Sequence, residues 1–103
     1  MREGTPTPED LSSGTNVVEF NAPWCGPCRT FAPTYEEIAS RKGYEAKHFW
    51  AVDVSSDEGQ ALASKYTIRS VPTIIFFVDG GVAEMLVGAD VSEAKVVGIL
   101  DRI

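Results

Sequence analysis

Cysteine is scarce in this sequence: two residues in 103, at positions 25 and 28. A bridge between residues so close would close almost no loop, so it has little value as a staple. Scaffolds held by disulfides normally spread more cysteines over wider spacings. Histidine is scarcer still, with His48 alone, and a pair of thiols plus one imidazole falls short of a closed zinc site, which takes about four ligands. No basic cluster interleaved with aromatics is present and the formal net charge is −6; both argue against a general affinity for nucleic acid or anionic membranes. No apolar run approaches the roughly 18 residues that suggest a membrane span. The first thirteen residues are polar, contain Pro6 and Pro8, and lack the hydrophobic core of a secretory signal. The expected setting is therefore the cytoplasm, or an organelle matrix if an upstream transit peptide has been removed.

What is present supports one folded unit. A hydrophobic content of 44% can supply a core without metal or disulfide support. Residues 1–15 are expected to form a short arm with a partial helix, in which Thr7 caps and Pro8 takes the first helical position. Residues 16–103 are expected to form the domain proper. Asn16 to Asn21 has the β propensity of a strand through Val17, Val18 and Phe20, and Pro23 ends it. From Cys25 the period changes: Cys28, Phe31, Ala32, Tyr35, Ile38 and Ala39 form one apolar stripe at helical spacing. Pro33 falls inside this helix, where a bend is expected, and Gly43 is read as its stop. A second strand is expected over Lys47 to Val54. A helix from Asp57 to Tyr66 follows, capped by Ser55 or Ser56 and anchored by Leu62 and Tyr66. Thr73 to Val78 is apolar throughout after Thr73, as in a strand covered on both faces. Asp79-Gly80-Gly81 signals a hairpin into a strand over Val82 to Val87, and Ser92 can cap a last helix. The order β-α-β-α-β-β-α predicts an α/β fold: a mixed sheet with helices on both faces.

Chemistry is the better explanation for Cys25-Gly26-Pro27-Cys28. A thiolate, not a thiol, attacks a disulfide, and an ordinary thiol of pKa near 8.5 is only about 3% ionised at pH 7. The start of a helix favours an anion through its unpaired N–H groups and dipole. Lowering the pKa to roughly 7 raises the thiolate fraction about sixteenfold. The accompanying loss of nucleophilicity returns about fivefold, so the net gain in rate is only around threefold. The larger benefits are a good leaving group and a second thiol held close by. Cys25 is read as the attacking sulfur, expected to be the more exposed. Cys28, on the inward stripe, is read as the shielded sulfur that displaces the product.

Glu19 is a further candidate. A carboxyl between Val18 and Phe20 is unusual in a strand covered on both faces, and burial would raise its pKa. A neutral acid near Cys28 could exchange a proton with it. A solvated strand glutamate is the alternative. His48 and Trp50 are read as packing residues.

Trp24-Cys25-Gly26-Pro27-Cys28 resembles, residue for residue, the active-site motif of the thioredoxin family. The flanks are similar as well: Phe20, Ala22 and Pro23 before it, then Arg29, Phe31, Ala32, Pro33 and Tyr35. Later come Tyr66, Ile68, Arg69, Val71-Pro72-Thr73, Phe76 to Gly80 and Gly88-Ala89. The resemblance implies the thioredoxin fold, with a central sheet of four or five strands. It implies protein-disulfide reduction with no bound cofactor, the working group being a redox-active Cys25–Cys28 disulfide. Pro72 would be a cis-proline facing the dithiol, against the plainer reading of a proline at a strand start. Val71 would pair its backbone with an extended substrate, and Trp24, Gly26, Pro27, Gly88 and Ala89 would line the same shallow groove. The implied partners are disulfide-containing proteins and a flavin- or ferredoxin-linked reductase, with the chain a monomer. Departures from the family pattern are Glu for the usual Asp at 19, Asn21 where a second tryptophan is common, and Ala51 where a basic residue is common. The last would leave Glu19 without that possible partner. The N-terminal part is short, so one edge strand is expected to be missing or vestigial. A docking module with little turnover, and an oxidant in an oxidising compartment, remain open as other roles.

Overall fold

The computed structural model describes residues 1–103, apart from the side chain of Glu3. The elements are β1 (Arg2–Glu3), α1 (Pro8–Leu11), β2 (Thr15–Asn21), α2 (Gly26–Ala39), β3 (His48–Asp53), α3 (Asp57–Lys65), β4 (Thr73–Val78), β5 (Gly81–Val87) and α4 (Glu93–Leu100), with a 3-10 turn at Gly88–Asp90. The strands form one mixed sheet in the order β1-β3-β2-β4-β5. β3 runs parallel to β2, while β4 and β5 run antiparallel to their neighbours. The edge strand expected to be missing or vestigial survives as two residues, Arg2 and Glu3, paired with Trp50 and Ala51. The Arg2 guanidinium sits 5.2 Å over the Trp50 ring, which places a charge at this edge, a common guard against edge pairing.

Helices cover both faces. On one, Tyr35 and Ile38 of α2 and Val96, Ile99 and Leu100 of α4 pack on Val17, Phe49, Ile74 and Phe76. On the other, Leu11 of α1 and Ala63 of α3 pack on Val18, Phe20, Trp50, Val52, Ile75 and Phe77. The continuous apolar run of β4 is thus used in full, with only Val78 exposed. Fully burying each such side chain is worth roughly 1.5–3 kcal/mol. Leu62 and Tyr66, read as the inward anchors of α3, are half-buried against this second cluster, and Ala63 and Gly59 are the buried residues of the helix. The buried polar Asn16 is satisfied: it donates to the Ser13 carbonyl at 3.1 Å and accepts from the Trp50 indole at 3.0 Å. No described helix is long and apolar enough to cross a membrane.

The helix caps follow the side chains expected of them. Thr7 and Asp10 form a reciprocal capping box, Ser56 accepts from the Gly59 N–H, and Ser92 from the Lys95 N–H. Helix α2 runs unbroken past the exposed Pro33. It ends at Ala39 rather than at Gly43. Ser40 closes it, sending both its N–H and its hydroxyl to the Glu37 carbonyl while the Arg41 N–H takes that of Ile38, so Gly43 (φ +100°) serves the following turn instead.

Two backbone sites generate stability predictions. Gly59 is buried where α3 meets the end of β3, and a Cβ there would run into the Asp53 carbonyl. Because that obstacle is backbone, Gly59→Ala is expected to cost about 1–3 kcal/mol in urea unfolding. Thr67 follows α3 with φ +56°. Its N–H donates to Ser64 and that of Ile68 to Ala63, a Schellman closure that glycine suits and a β-branched residue does not. Thr67→Gly is expected to raise stability by about 1 kcal/mol in the same assay.

Candidate active site

The dithiol sits where β2 hands over to α2. Cys25 is the N-cap of α2, with extended backbone (φ −91°, ψ 109°), and Gly26 and Pro27 open the helix. A residue at this position normally satisfies an orphan N–H through a side-chain oxygen. Here the acceptor is sulfur: the Cys28 N–H donates to Cys25 Sγ at 3.2 Å. The turn is braced from both sides, by Cys25 N–H to the Ala22 carbonyl at 3.1 Å and by Arg29 N–H to the Cys25 carbonyl at 3.2 Å. The Arg29 guanidinium reaches back to the Pro23 carbonyl at 2.7 Å. Cys25 and Cys28 are joined as a disulfide across a Cα–Cα distance of 5.3 Å, within the range that a bridge accepts without backbone movement.

One expectation is corrected. Cys25 was expected to be exposed, yet it is buried at 5% exposure; Cys28, at 3%, is shielded as expected. Ala22, Val54 and Val71 pack around the pair. As the N-cap, Cys25 folds its sulfur back over the first turn of α2, towards both Cys28 and the loop before β4. The two sulfurs therefore differ in electrostatic position rather than in accessibility: only Cys25 receives the N–H at the helix start.

The other candidate residues fall around this centre. Cys25 Sγ lies 3.7 Å from the Val71 carbonyl, and the Val71–Pro72 bond is cis. The Gly88 N–H donates to the Pro72 carbonyl at 2.8 Å, which draws Gly88 and the exposed Ala89 to the same loop. Trp24 stands 72% exposed, beside a hollow of about 500 Å³ lined by Gln60, Ile68, Arg69, Ser70 and Val71. Gly26 and Pro27 sit at the outer end of α2, Pro27 exposed.

Behind the disulfide lies a second hollow of about 550 Å³, shared by Glu19, Asn21, Cys28, Ala32, Tyr35 and Ala51. Glu19 is only 3% exposed, in the middle of the central strand, with Ala51 and Ile74 as its sheet partners. The solvated reading is therefore excluded. Burial raises its pKa, and a hydrogen bond from Asn21 partly opposes that shift. Ala51 offers no charge, and among the described residues no Lys or Arg pairs with Glu19. Asn21 takes the partner's place: its Nδ2 donates to Glu19 Oε1 at 2.8 Å, while Oε2 is buried without a partner. The sequence marks Asn21 only as a departure from the family pattern. The overlooked signal was its spacing, since residues i and i+2 of a strand share a face. Tyr35 was read only as part of the apolar stripe. Its hydroxyl lies 2.8 Å from the Trp50 carbonyl and 3.2 Å from that of Val17. Burial, aided by the nearby Glu19, holds its pKa well above the usual phenol range.

With this geometry in view, comparison with known proteins is specific. A protein-family model described as Thioredoxin matches residues 9–101. Thioredoxin 1 of Synechococcus elongatus is 43% identical over 103 residues, covering 99% of this chain and 92% of that protein. Thioredoxin 1 of Nostoc is 49% identical over 90 residues, covering 86% of this chain and 81% of that protein. Among solved structures, Schistosoma mansoni thioredoxin superposes with a TM-score of 0.78 at 36% identity, covering 92% of this chain and 82% of that one.

The burial of Glu19 has a testable sign. A carboxyl whose folded pKa is raised contributes most below its unfolded value near 4.5, and that contribution is lost as pH rises through the folded value. Wild-type stability is therefore expected to fall relative to Glu19→Gln as pH rises above about 4.5. Paired urea-unfolding series of the two proteins from pH 4 to pH 8 should show a widening gap; a constant gap would contradict the buried acid.

Proposed function

The chain belongs to the thioredoxin family and is a thiol–disulfide oxidoreductase of the protein-disulfide reductase class; from that premise we propose how its residues divide the reaction. Cys25 attacks. Its thiolate adds to one sulfur of a substrate disulfide, that S–S bond breaks, and the other substrate sulfur leaves as a thiolate. A mixed disulfide to Cys25 remains. Cys28 resolves it: its thiolate attacks Cys25 Sγ, the mixed bond breaks, and the second substrate sulfur leaves. Two electrons pass from the dithiol to the substrate, and two protons end on the product thiols. The single observation that carries this order is the Cys28 N–H directed at Cys25 Sγ, because a donor at the helix start favours the charged form of the sulfur it faces.

Glu19 takes the proton of the Cys28 thiol when resolution begins. The reading is supported by its burial and by its place with Cys28 on one hollow. A carboxyl with raised pKa lies closer to a thiol in proton affinity than an ordinary one, which is what transfer between them needs. Val71 and the cis Pro72 present backbone to an extended substrate segment beside Cys25. Trp24, Gly26, Pro27, Gly88 and Ala89 form the walls of that groove, in keeping with their placement around Cys25. The oxidised dithiol is returned by a reductase, flavin- or ferredoxin-linked. The working compartment is one that keeps thiols reduced, the cytoplasm or an organelle matrix.

Reduction of insulin disulfides with a thiol reductant tests the assignment. Cys25→Ser is expected to fall to the uncatalysed rate, and Cys28→Ser to accumulate a mixed disulfide that mass spectrometry detects. Full binding of a substrate peptide to Cys25→Ser, with no reduction by the wild type, would instead support a docking role. In single-turnover measurements Glu19→Gln is expected to leave attack unchanged and to slow release by roughly tenfold or more, inside the usual span for acid–base assistance. Equal release rates would remove Glu19 from the mechanism.

A further inference from the structure

The unusual feature of the hollow behind Cys28 is how its carboxyl is held. The two oxygens of Glu19 are in different situations. Oε1 accepts the Asn21 amide at 2.8 Å, whereas Oε2 is buried with no partner. A lone buried carboxylate oxygen is costly, while a protonated carboxyl places its carbonyl oxygen where a donor waits and its hydroxyl at the other position. We propose that Asn21 is a positioning residue for the resolving step: its amide fixes Oε1, so Oε2 is the oxygen that receives the Cys28 proton. The proposal rests on Glu19 acting as the acid–base partner of Cys28.

Three observations support it independently of the proton affinity of Glu19. Asn21 and Glu19 are two apart on β2, so the backbone itself aligns them on one face. Ala51, opposite Glu19 on β3, offers neither charge nor hydrogen bond, so the amide is the polar contact this carboxyl has among the described residues. Asn21 is half-buried at the end of the strand, where a side-chain donor is less open to competition from water.

The contact has a direction. A hydrogen bond to a carboxylate favours the charged form, so Asn21 restrains the rise that burial imposes. The other titratable or charged groups on the hollow are the α-amino group of Met1, Cys28, Arg29, Tyr35 and Glu36 from α2, Asp53 from β3 and Glu58 from α3. All are retained in the variants below, so a difference between variants reports on residue 21.

The test follows the Glu19 carboxyl carbon by NMR in the oxidised protein labelled with 13C-glutamate, using Glu19→Gln to assign the signal. In Asn21→Leu, which removes the donor, the midpoint is expected to rise by roughly half to one pH unit, the worth of one ordinary hydrogen bond. In Asn21→Asp, which keeps the shape but adds a like charge, it is expected to rise further. The pH profile of mixed-disulfide release should move upward with the carboxyl in both variants, and in a Glu19→Gln background neither substitution should move it. An unshifted carboxyl midpoint, or a release profile that stays put while the midpoint moves, would overturn the proposal. Two different substitutions guard against a folding defect in either one. The carboxyl is read directly, so loss of the Asn21 role is distinguishable from loss of the Glu19 reading, which is decided by whether Glu19→Gln slows release.

Discussion

The contact on which the active site depends is the Cys28 N–H directed at Cys25 Sγ. It exists only because α2 begins one residue after Cys25, and that start is placed by the sheet. β2 ends at Asn21, Ala22 is buried beneath the turn, and Arg29 is tied back to Pro23. A helix offers about four orphan N–H groups at its first turn. Here one of them is assigned to a sulfur rather than to a hydroxyl or carboxylate. The same turn brings the second sulfur within bridging distance, so one piece of local geometry serves both the N–H contact to Cys25 and the reach of Cys28.

The sheet contributes the second element of the site, a carboxyl that an apolar core would ordinarily exclude. The arrangement sets two neighbouring groups in unlike environments, a sulfur favoured as an anion at a helix start and a carboxyl disfavoured as an anion within the sheet. The first group would attack the substrate; the second, raised in proton affinity, lies closer to the thiol of Cys28, the group with which it would exchange a proton. Asn21 moderates the second of these shifts without adding charge. It therefore fills part of the space left in function by Ala51, by a route that keeps the hollow free of a buried ion pair and its desolvation cost.

Much of this was legible from the residues. The apolar run Ile74–Phe77 marked a strand buried on both faces, and the stripe from Cys28 to Ile38 marked the buried side of α2. Capping side chains at Thr7, Ser56 and Ser92 located three helix starts, and Glu19 announced itself as a charge in an apolar strand. What was not legible depended on tertiary closure. The burial of Cys25 comes from packing by Val71, 46 residues away in sequence, and no local pattern reports that. The end of α2 moved from Gly43 to Ala39 because a serine hydroxyl and N–H closed it before any glycine was needed. The two-residue β1 was beyond pattern reading, since so short a strand exists through its partner, not through its own propensity.

The most direct test of the central claim is the acidity of Cys25 in the reduced protein, measured from the pH dependence of its alkylation by iodoacetamide with Cys28→Ser as the single-thiol reference. Stabilisation by the helix start predicts a midpoint displaced to roughly pH 7, well below the ordinary thiol value near 8.5. A midpoint at the ordinary value would show that the N–H contact does not favour the anion, and the assignment of Cys25 as the attacking sulfur would lose its physical basis.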